Sequence, residues 1–238
     1  MSVLVSETFG SVQGEGKLTG VPSWFIRLSG CNLRCTWCDT PYASWNPEGE
    51  KRTIDELVQE AAESGLSHAV ITGGEPMIFK ELPELCAKLR EHGMHNTIET
   101  AGTIYPEDWT GLACDLMSIS PKLANSTPAE DDERDPLGIW HDRHDERRLN
   151  HAVLSRLTAD FPDHQIKFVV SEPGDLAEIE SVLAGIERVN PGAVQLMPEG
   201  VSPQAPGITE WIVKACMERN WRYCNRLHID LFGDRRGT

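Results

Sequence analysis

The sequence predicts an α/β fold: an open, partial β/α barrel of about six parallel strands, formed as one domain over residues 1–238. Two observations carry this. Short apolar, β-rich runs alternate with amphipathic helical stripes, which is how parallel βαβ units are written in sequence. There are also too few such units for the eight strands of a closed barrel. In folds of this kind ligand sites gather at the C-terminal ends of the strands. The residues just past the strands are therefore expected to converge: Gly30-Cys31, Gly73-Gly74-Glu75, Glu99, Ser120-Pro121-Lys122, Ser171 and Pro198-Glu199.

Trp24–Leu28 reads as a buried strand. Thr53-Ile54-Asp55-Glu56 opens a helix with a capping box, and Ile54, Leu57, Val58 and Ala61 form its apolar stripe until Gly65 ends it. Ala69–Thr72 is the next strand, closed by Gly73-Gly74. Leu82, Leu85, Cys86 and Leu89 mark a second amphipathic helix, stopped by Gly93. Further strands are expected at Thr97–Thr100, Leu116–Ile119, Ile166–Val170 and Val194–Met197, with helical stripes at Leu149–Leu157, Leu176–Ile186 and Trp211–Met217. A last strand-like segment runs over Trp221–Ile229. Residues 125–148 break the pattern: they are dense in Asp, Glu, Arg and His around Trp140, and read as a charged crossover or lid. The tail, Gly233 to Thr238, extends past the last expected strand.

Composition narrows the function. With 37 acidic and 22 basic side chains the net charge is −15. A nucleic-acid binder needs clustered cations facing phosphates, and the longest basic cluster, around Arg143, Arg147 and Arg148, is short and interleaved with acids, as on a solvated face. No window approaches the ~20 apolar residues of a membrane span, and the first ten residues lack the pattern of a secretory signal. The expected compartment is the cytoplasm, where thiols stay reduced. In that setting an odd set of seven cysteines points to metal or catalytic use of some of them.

Cys31-x3-Cys35-x2-Cys38 is the strongest chemical signal. It follows a strand directly, on a loop that Gly30 and Pro41 keep from being helical. A structural zinc site wants four ligands in paired knuckles, and no second pair appears. A redox pair at Cys35 and Cys38 leaves Cys31 unexplained. A four-iron cluster held by three thiolates accounts for all three and leaves one iron open to an outside ligand. Cys86, Cys114, Cys216 and Cys224 read as small hydrophobes.

This motif, with Trp37 before its last cysteine, resembles that of the radical S-adenosylmethionine (SAM) enzymes, and Thr72-Gly73-Gly74-Glu75-Pro76 resembles that superfamily's second motif. The fold so implied is the partial barrel of the radical SAM type. The segments Phe9 to Gly16, Phe25 to Leu33, Cys38-Asp39-Thr40, Glu99 to Thr103, Ser120-Pro121-Lys122 and Lys167 to Ser171 resemble the 7-carboxy-7-deazaguanine synthase family over nearly the whole chain. That resemblance implies a lyase acting on 6-carboxy-5,6,7,8-tetrahydropterin. A 5′-deoxyadenosyl radical made from SAM abstracts hydrogen at C6, the ring contracts and ammonia leaves, on the route to queuosine and other deazapurines.

The resemblance implies a [4Fe-4S] cluster on Cys31, Cys35 and Cys38, with Mg²⁺ on Thr40, and assigns no side chain the role of hydrogen abstractor, since the radical arises on SAM. SAM contacts are implied at Trp37, Cys38, Asp39, Gly74 and Glu75. More are implied at Ser120, Pro121, Lys122, Gln195 and Pro198. Substrate contacts are implied at Val12, Gln13, Gly14, Glu15, Arg27, Thr72 and His228. The residue chemistry agrees: Gln13, Gly14 and Glu15 can meet the flat polar edge of a pterin, and Arg27 can hold its carboxylate bidentately. Mg²⁺ prefers hard oxygen donors such as the Thr40 hydroxyl. An electron donor such as flavodoxin or ferredoxin and a homodimer are implied as partners, with no nucleic acid and no membrane. Two other functions compete. One is a radical SAM activase making a glycyl radical on a partner protein, and the other is a zinc- or cluster-stabilised scaffold without turnover.

Overall fold

The computed structural model describes residues 1–205 and 207–238. The chain begins with a strand that the apolar pattern understates, β1 (Ser2–Val12), in which only Val3 and Val5 are buried. β2 (Pro22–Leu28) runs back antiparallel to it, and β3 (Glu50–Thr53) pairs on its other edge. Thr53 then caps α1 (Ile54–Glu63) with both hydrogen bonds of a capping box, and the expected stripe of Ile54, Leu57, Val58 and Ala61 is buried. β4 (His68–Gly73), α2 (Leu82–Glu91), β5 (His95–Thr100) and β6 (Leu116–Ile119) follow within a few residues of the expected positions. No helix separates β5 from β6; a loop anchored by the buried Tyr105, Trp109 and Leu112 makes that connection.

The charged segment holds α3 (Trp140–Arg147), and α4 (His151–Asp160) completes the crossover to β7 (His164–Val170). The chain ends through α5 (Asp175–Ala184), β8 (Val194–Pro198), α6 (Glu210–Arg219), β9 (Arg222–Tyr223) and α7 (Leu227–Phe232). The strand expected over Trp221–Ile229 is corrected to this short β9 followed by a helix. Among the described residues β9 pairs only with β8; the ladder runs out at Cys224, whose N–H reaches the Leu196 carbonyl, and the Leu227 N–H turns instead to the Gly14 carbonyl.

Among the described residues the sheet order is β3-β1-β2-β4-β5-β6-β7-β8-β9, parallel from β2 onward. It is the partial barrel, with β9 added to the six longer parallel strands and an antiparallel pair at the other edge. Ile26, Leu28, Ile71, Ile98, Phe168 and Leu196 are wholly buried along these strands, which is why the strands read as continuous apolar runs.

Candidate active site

The sheet's C-terminal rim and its open side enclose a cavity of about 720 Å³. Of the strand-end residues expected to converge, Cys31, Gly73, Gly74, Glu99, Ser120 and Lys122 line it. Gly30, Glu75, Pro121, Ser171, Pro198 and Glu199 do not.

The cysteine loop forms one wall. Cys31, Cys35 and Cys38 all face the cavity and all are free thiols. Burial pushes the Cys31 and Cys35 thiols up to about 12, so a nearby positive centre is needed to keep either as a thiolate. The Leu33 N–H donates to Cys31 Sγ at 3.4 Å, and the Ser44 hydroxyl lies 3.1 Å from Cys38 Sγ. Among the described residues no three Cys, His, Asp or Glu side chains are arranged around a single ion position. The fit to an iron–sulfur core rests on the shared cavity of the three thiols and on their hydrogen-bond donors.

The glycines after β4 serve this loop. A Cβ on Gly74 would lie 2.1 Å from the Gly30 carbonyl oxygen and 2.5 Å from that of Ala43. The Glu75 N–H donates to the same Gly30 carbonyl at 2.9 Å, so strand end and loop are in backbone contact. Glu75 itself is fully buried. Its carboxylate accepts from the Met77 and Ala101 N–H groups and from the Thr100 hydroxyl, and so sets Thr100 and Ala101 on the cavity wall.

On the same cavity, β1 and β2 supply a flat apolar panel and a cation. Phe9 and Phe25 are cross-strand partners whose rings stack 5.0 Å apart, and Arg27 lies 5.7 Å from the Phe9 centroid. Arg27 Nε donates to Glu7 at 2.7 Å, leaving its two terminal amino groups without a side-chain partner among the described residues. Glu7 also accepts from the Tyr42 hydroxyl at 2.9 Å and from Arg236 Nε at 3.1 Å.

A polar belt crosses between these walls. Glu99 accepts from Gln13 Nε2 at 3.1 Å and from the Thr72 hydroxyl at 2.8 Å. Glu15 pairs with Lys167, and with Arg226 Nε at 3.0 Å, while Arg226 also pairs with Asp39. Burial opposes the charge on Glu15, but the Lys167 and Arg226 cations outweigh it and hold the carboxyl well below the usual range. The His228 ring lies directly over Gly14, where an added Cβ would come 1.8 Å from Nδ1. Lys122 Nζ donates to Ser120 at 2.9 Å and stands 5.5 Å over the Trp37 ring.

The cavity therefore brings together Val12, Gln13, Gly14, Glu15, Arg27, Thr72 and His228 with the thiols and with Trp37, Asp39, Thr40, Gly74, Ser120 and Lys122. Gln195 is turned into the barrel, donating to Gln165 at 3.0 Å, and Pro198 is buried in β8; the neighbouring Met197 reaches the cavity instead. Sequence reasoning missed the site roles of Glu7, Tyr42, Lys167 and Arg226. Lys167 carried a usable signal, a charge inside an apolar strand, whereas Glu99 was already expected in the cleft from its place near a strand's C-terminal end. Glu7 and Tyr42 carried none.

The radical SAM superfamily model matches residues 25–127. A 7-carboxy-7-deazaguanine synthase of Rhodopirellula baltica is 48% identical over 100% of this chain and 89% of its own length. One from Halobacterium salinarum is 41% identical, covering 97% of this chain and 90% of its own. The crystal structure of QueE from Escherichia coli matches with a TM-score of 0.68 at 27% identity, covering 96% of this chain and 95% of that one.

Proposed function

The chain belongs to the 7-carboxy-7-deazaguanine synthase family of radical SAM enzymes, and on that basis we propose that its cavity converts 6-carboxy-5,6,7,8-tetrahydropterin to 7-carboxy-7-deazaguanine with release of ammonia. The observation that carries this is the juxtaposition, in one cavity, of three free thiols with an arginine whose terminal amino groups have no side-chain partner among the described residues, and a belt of amide and carboxylate groups. Membership of the superfamily implies a [4Fe-4S] cluster and SAM. Cys31, Cys35 and Cys38 would hold the cluster. Bound and reduced, cluster and SAM would supply the radical that takes hydrogen from C6.

The remaining work belongs to the protein's own side chains. Arg27 holds the substrate carboxylate through its two terminal amino groups while Glu7 fixes Nε. The pterin ring lies along the Phe9–Phe25 panel. Gln13, Glu15, Thr72, Glu99 and His228 meet its polar edge. Trp37, Asp39, Gly74 and Ser120 take up SAM, and Lys122 provides a cation for its carboxylate. Glu75 acts one step back, by placing Thr100 and Ala101.

Thr40, on the cavity wall 3.8 Å from Cys38 Sγ, offers the one hydroxyl we assign to Mg²⁺. An electron donor such as flavodoxin or ferredoxin, a homodimer and a cytoplasmic setting complete the reading. No helix among the described residues is long and apolar enough to cross a membrane. The test is anaerobic reconstitution with iron and sulfide, followed by assay with the pterin, SAM and dithionite. Absorption near about 400 nm together with deazaguanine product is expected. A loaded cluster that gives no such product would overturn the assignment.

A further inference from the structure

Residues 124–148 cross from β6 toward β7, yet none of these described residues lines the cavity. They grip the outer side of the cysteine loop. That loop has no strand or helix to satisfy its peptide groups, so they need partners from elsewhere. The Arg34 N–H donates to His144 Nδ1 at 3.0 Å, and the Thr36 N–H donates to the Ser126 carbonyl at 2.8 Å. The N–H groups of the residues on either side of Cys35 are thus held by the crossover.

His144 has no exposed surface at all. Its Nε2 lies 2.9 Å from Ser126 Oγ, whose own hydrogen goes to the Leu123 carbonyl at 2.6 Å. The network therefore assigns the neutral Nε2–H tautomer, with Nδ1 accepting from the loop and Nε2–H donating to the serine. Side chains brace the same grip. The Arg34 guanidinium stacks 4.2 Å over Trp140, and Arg134 donates to the Thr36 carbonyl at 3.1 Å while stacking 4.1 Å over Trp45. Trp45 in turn donates to the Cys35 carbonyl at 2.9 Å.

We propose that His144 is a positioning residue for the iron–sulfur core: it pins the Leu33–Arg34 peptide, one residue ahead of Cys35, and makes the charged crossover a clasp on the cysteine loop. The proposal rests on reading Cys31, Cys35 and Cys38 as the cluster ligands.

His144→Ala, His144→Asn and His144→Gln are reconstituted anaerobically beside the wild type. The half-life of the visible absorption is then followed against a ferrous chelator, with the EPR signal of the reduced protein and the thermal melt of the iron-free protein recorded in parallel. His144→Ala should lose its cluster about fivefold faster, roughly the factor that one hydrogen bond commands, with altered EPR g-values. His144→Asn can place an acceptor where Nδ1 stands, and should restore the half-life to within about twofold. His144→Gln reaches toward Ser126 instead, and should not.

A wild-type half-life and EPR signal in His144→Ala would overturn the proposal, as would equal rescue by Asn and Gln, which would reduce the role to filling space. Should His144→Ala not fold, the Asn–Gln contrast decides alone. A wild type that takes up no iron would overturn the cysteine reading itself, whereas a loaded wild type with unaffected variants overturns only the role given to His144.

Discussion

Glu7 is a carboxylate shared by three donors, and each of the three bears on the cavity. It orients Arg27, fixes Tyr42, and receives Arg236 from a tail whose last residues also line the site. Arg236 adds a contact to Glu48 at 3.2 Å and lies 4.0 Å over the Tyr42 ring. Removing the charge on Glu7 while keeping its shape should loosen Arg27 without emptying the site. For Glu7→Gln the expected outcome is a KM for the pterin raised about tenfold, with a smaller change in kcat, because on the proposed function the altered contact holds the substrate and not the reacting carbon. Steady-state kinetics on the reconstituted enzyme check this; an unchanged KM with a fallen kcat would contradict it. Neither Glu7 nor Tyr42 was legible as a site residue in the sequence, since each gains its role from partners distant along the chain.

At the level of elements, two kinds of position behave differently. α1 is a local structure: its capping box, stripe and glycine stop were all readable, and its N-cap is exposed and distant from the cavity. Thr53→Ala should cost about 1 kcal/mol, seen as a lower urea midpoint, and leave turnover by the loaded enzyme unchanged. The turn after β4 is different. Its glycines looked like a cofactor contact, and the structure gives Gly74 a second reason, the Gly30 and Ala43 carbonyls that would lie 2.1 and 2.5 Å from an added Cβ. Gly74→Ala has backbone on both sides and no flexible side chain to yield. It should cost more stability than Thr53→Ala and speed cluster loss in the same chelator assay. A Gly74→Ala protein as stable as Thr53→Ala would show that this approach is not tight. The misread end of the chain belongs here too: Trp221–Ile229 has the residues of a strand, but among the described residues its ladder to β8 runs out at Cys224.

For the molecule as a whole, the notable feature is how the barrel's open side is spanned. The segment after β1 crosses to the far strands through Gln13–Glu99, Gly16 N–H to Cys224 Sγ at 3.1 Å, and Lys17 N–H to Gln165 at 2.7 Å. Glu15 lies at the centre, between two cations. Its carboxyl titrates below its ordinary 4.5 in the folded chain, so it contributes stability above that value. The contribution falls away as acid drives protonation in the unfolded chain first. Glu15→Gln should therefore be less stable by about 3 kcal/mol at pH 7, the scale of breaking a buried pair. It should also lose less further stability than the wild type between pH 5 and 3. Urea midpoints across that range test it, and parallel pH curves for the two proteins would refute it.

The sequence by itself determined what depends on neighbours along the chain: the alternation that makes a partial β/α barrel, the capping of α1, the three-cysteine spacing, and the family to which those motifs point. Tertiary structure decided which charges meet. Glu15 and Arg226 are 211 residues apart in the chain, and the cation partners of Glu15, the sharing of Glu7 and the grip of His144 on Arg34 all arise only when the sheet curls. The physical reason is that helix and strand preferences are set over a few residues. The energy of a buried charge or peptide group instead depends on the particular partner that folding carries to within about 3 Å of it.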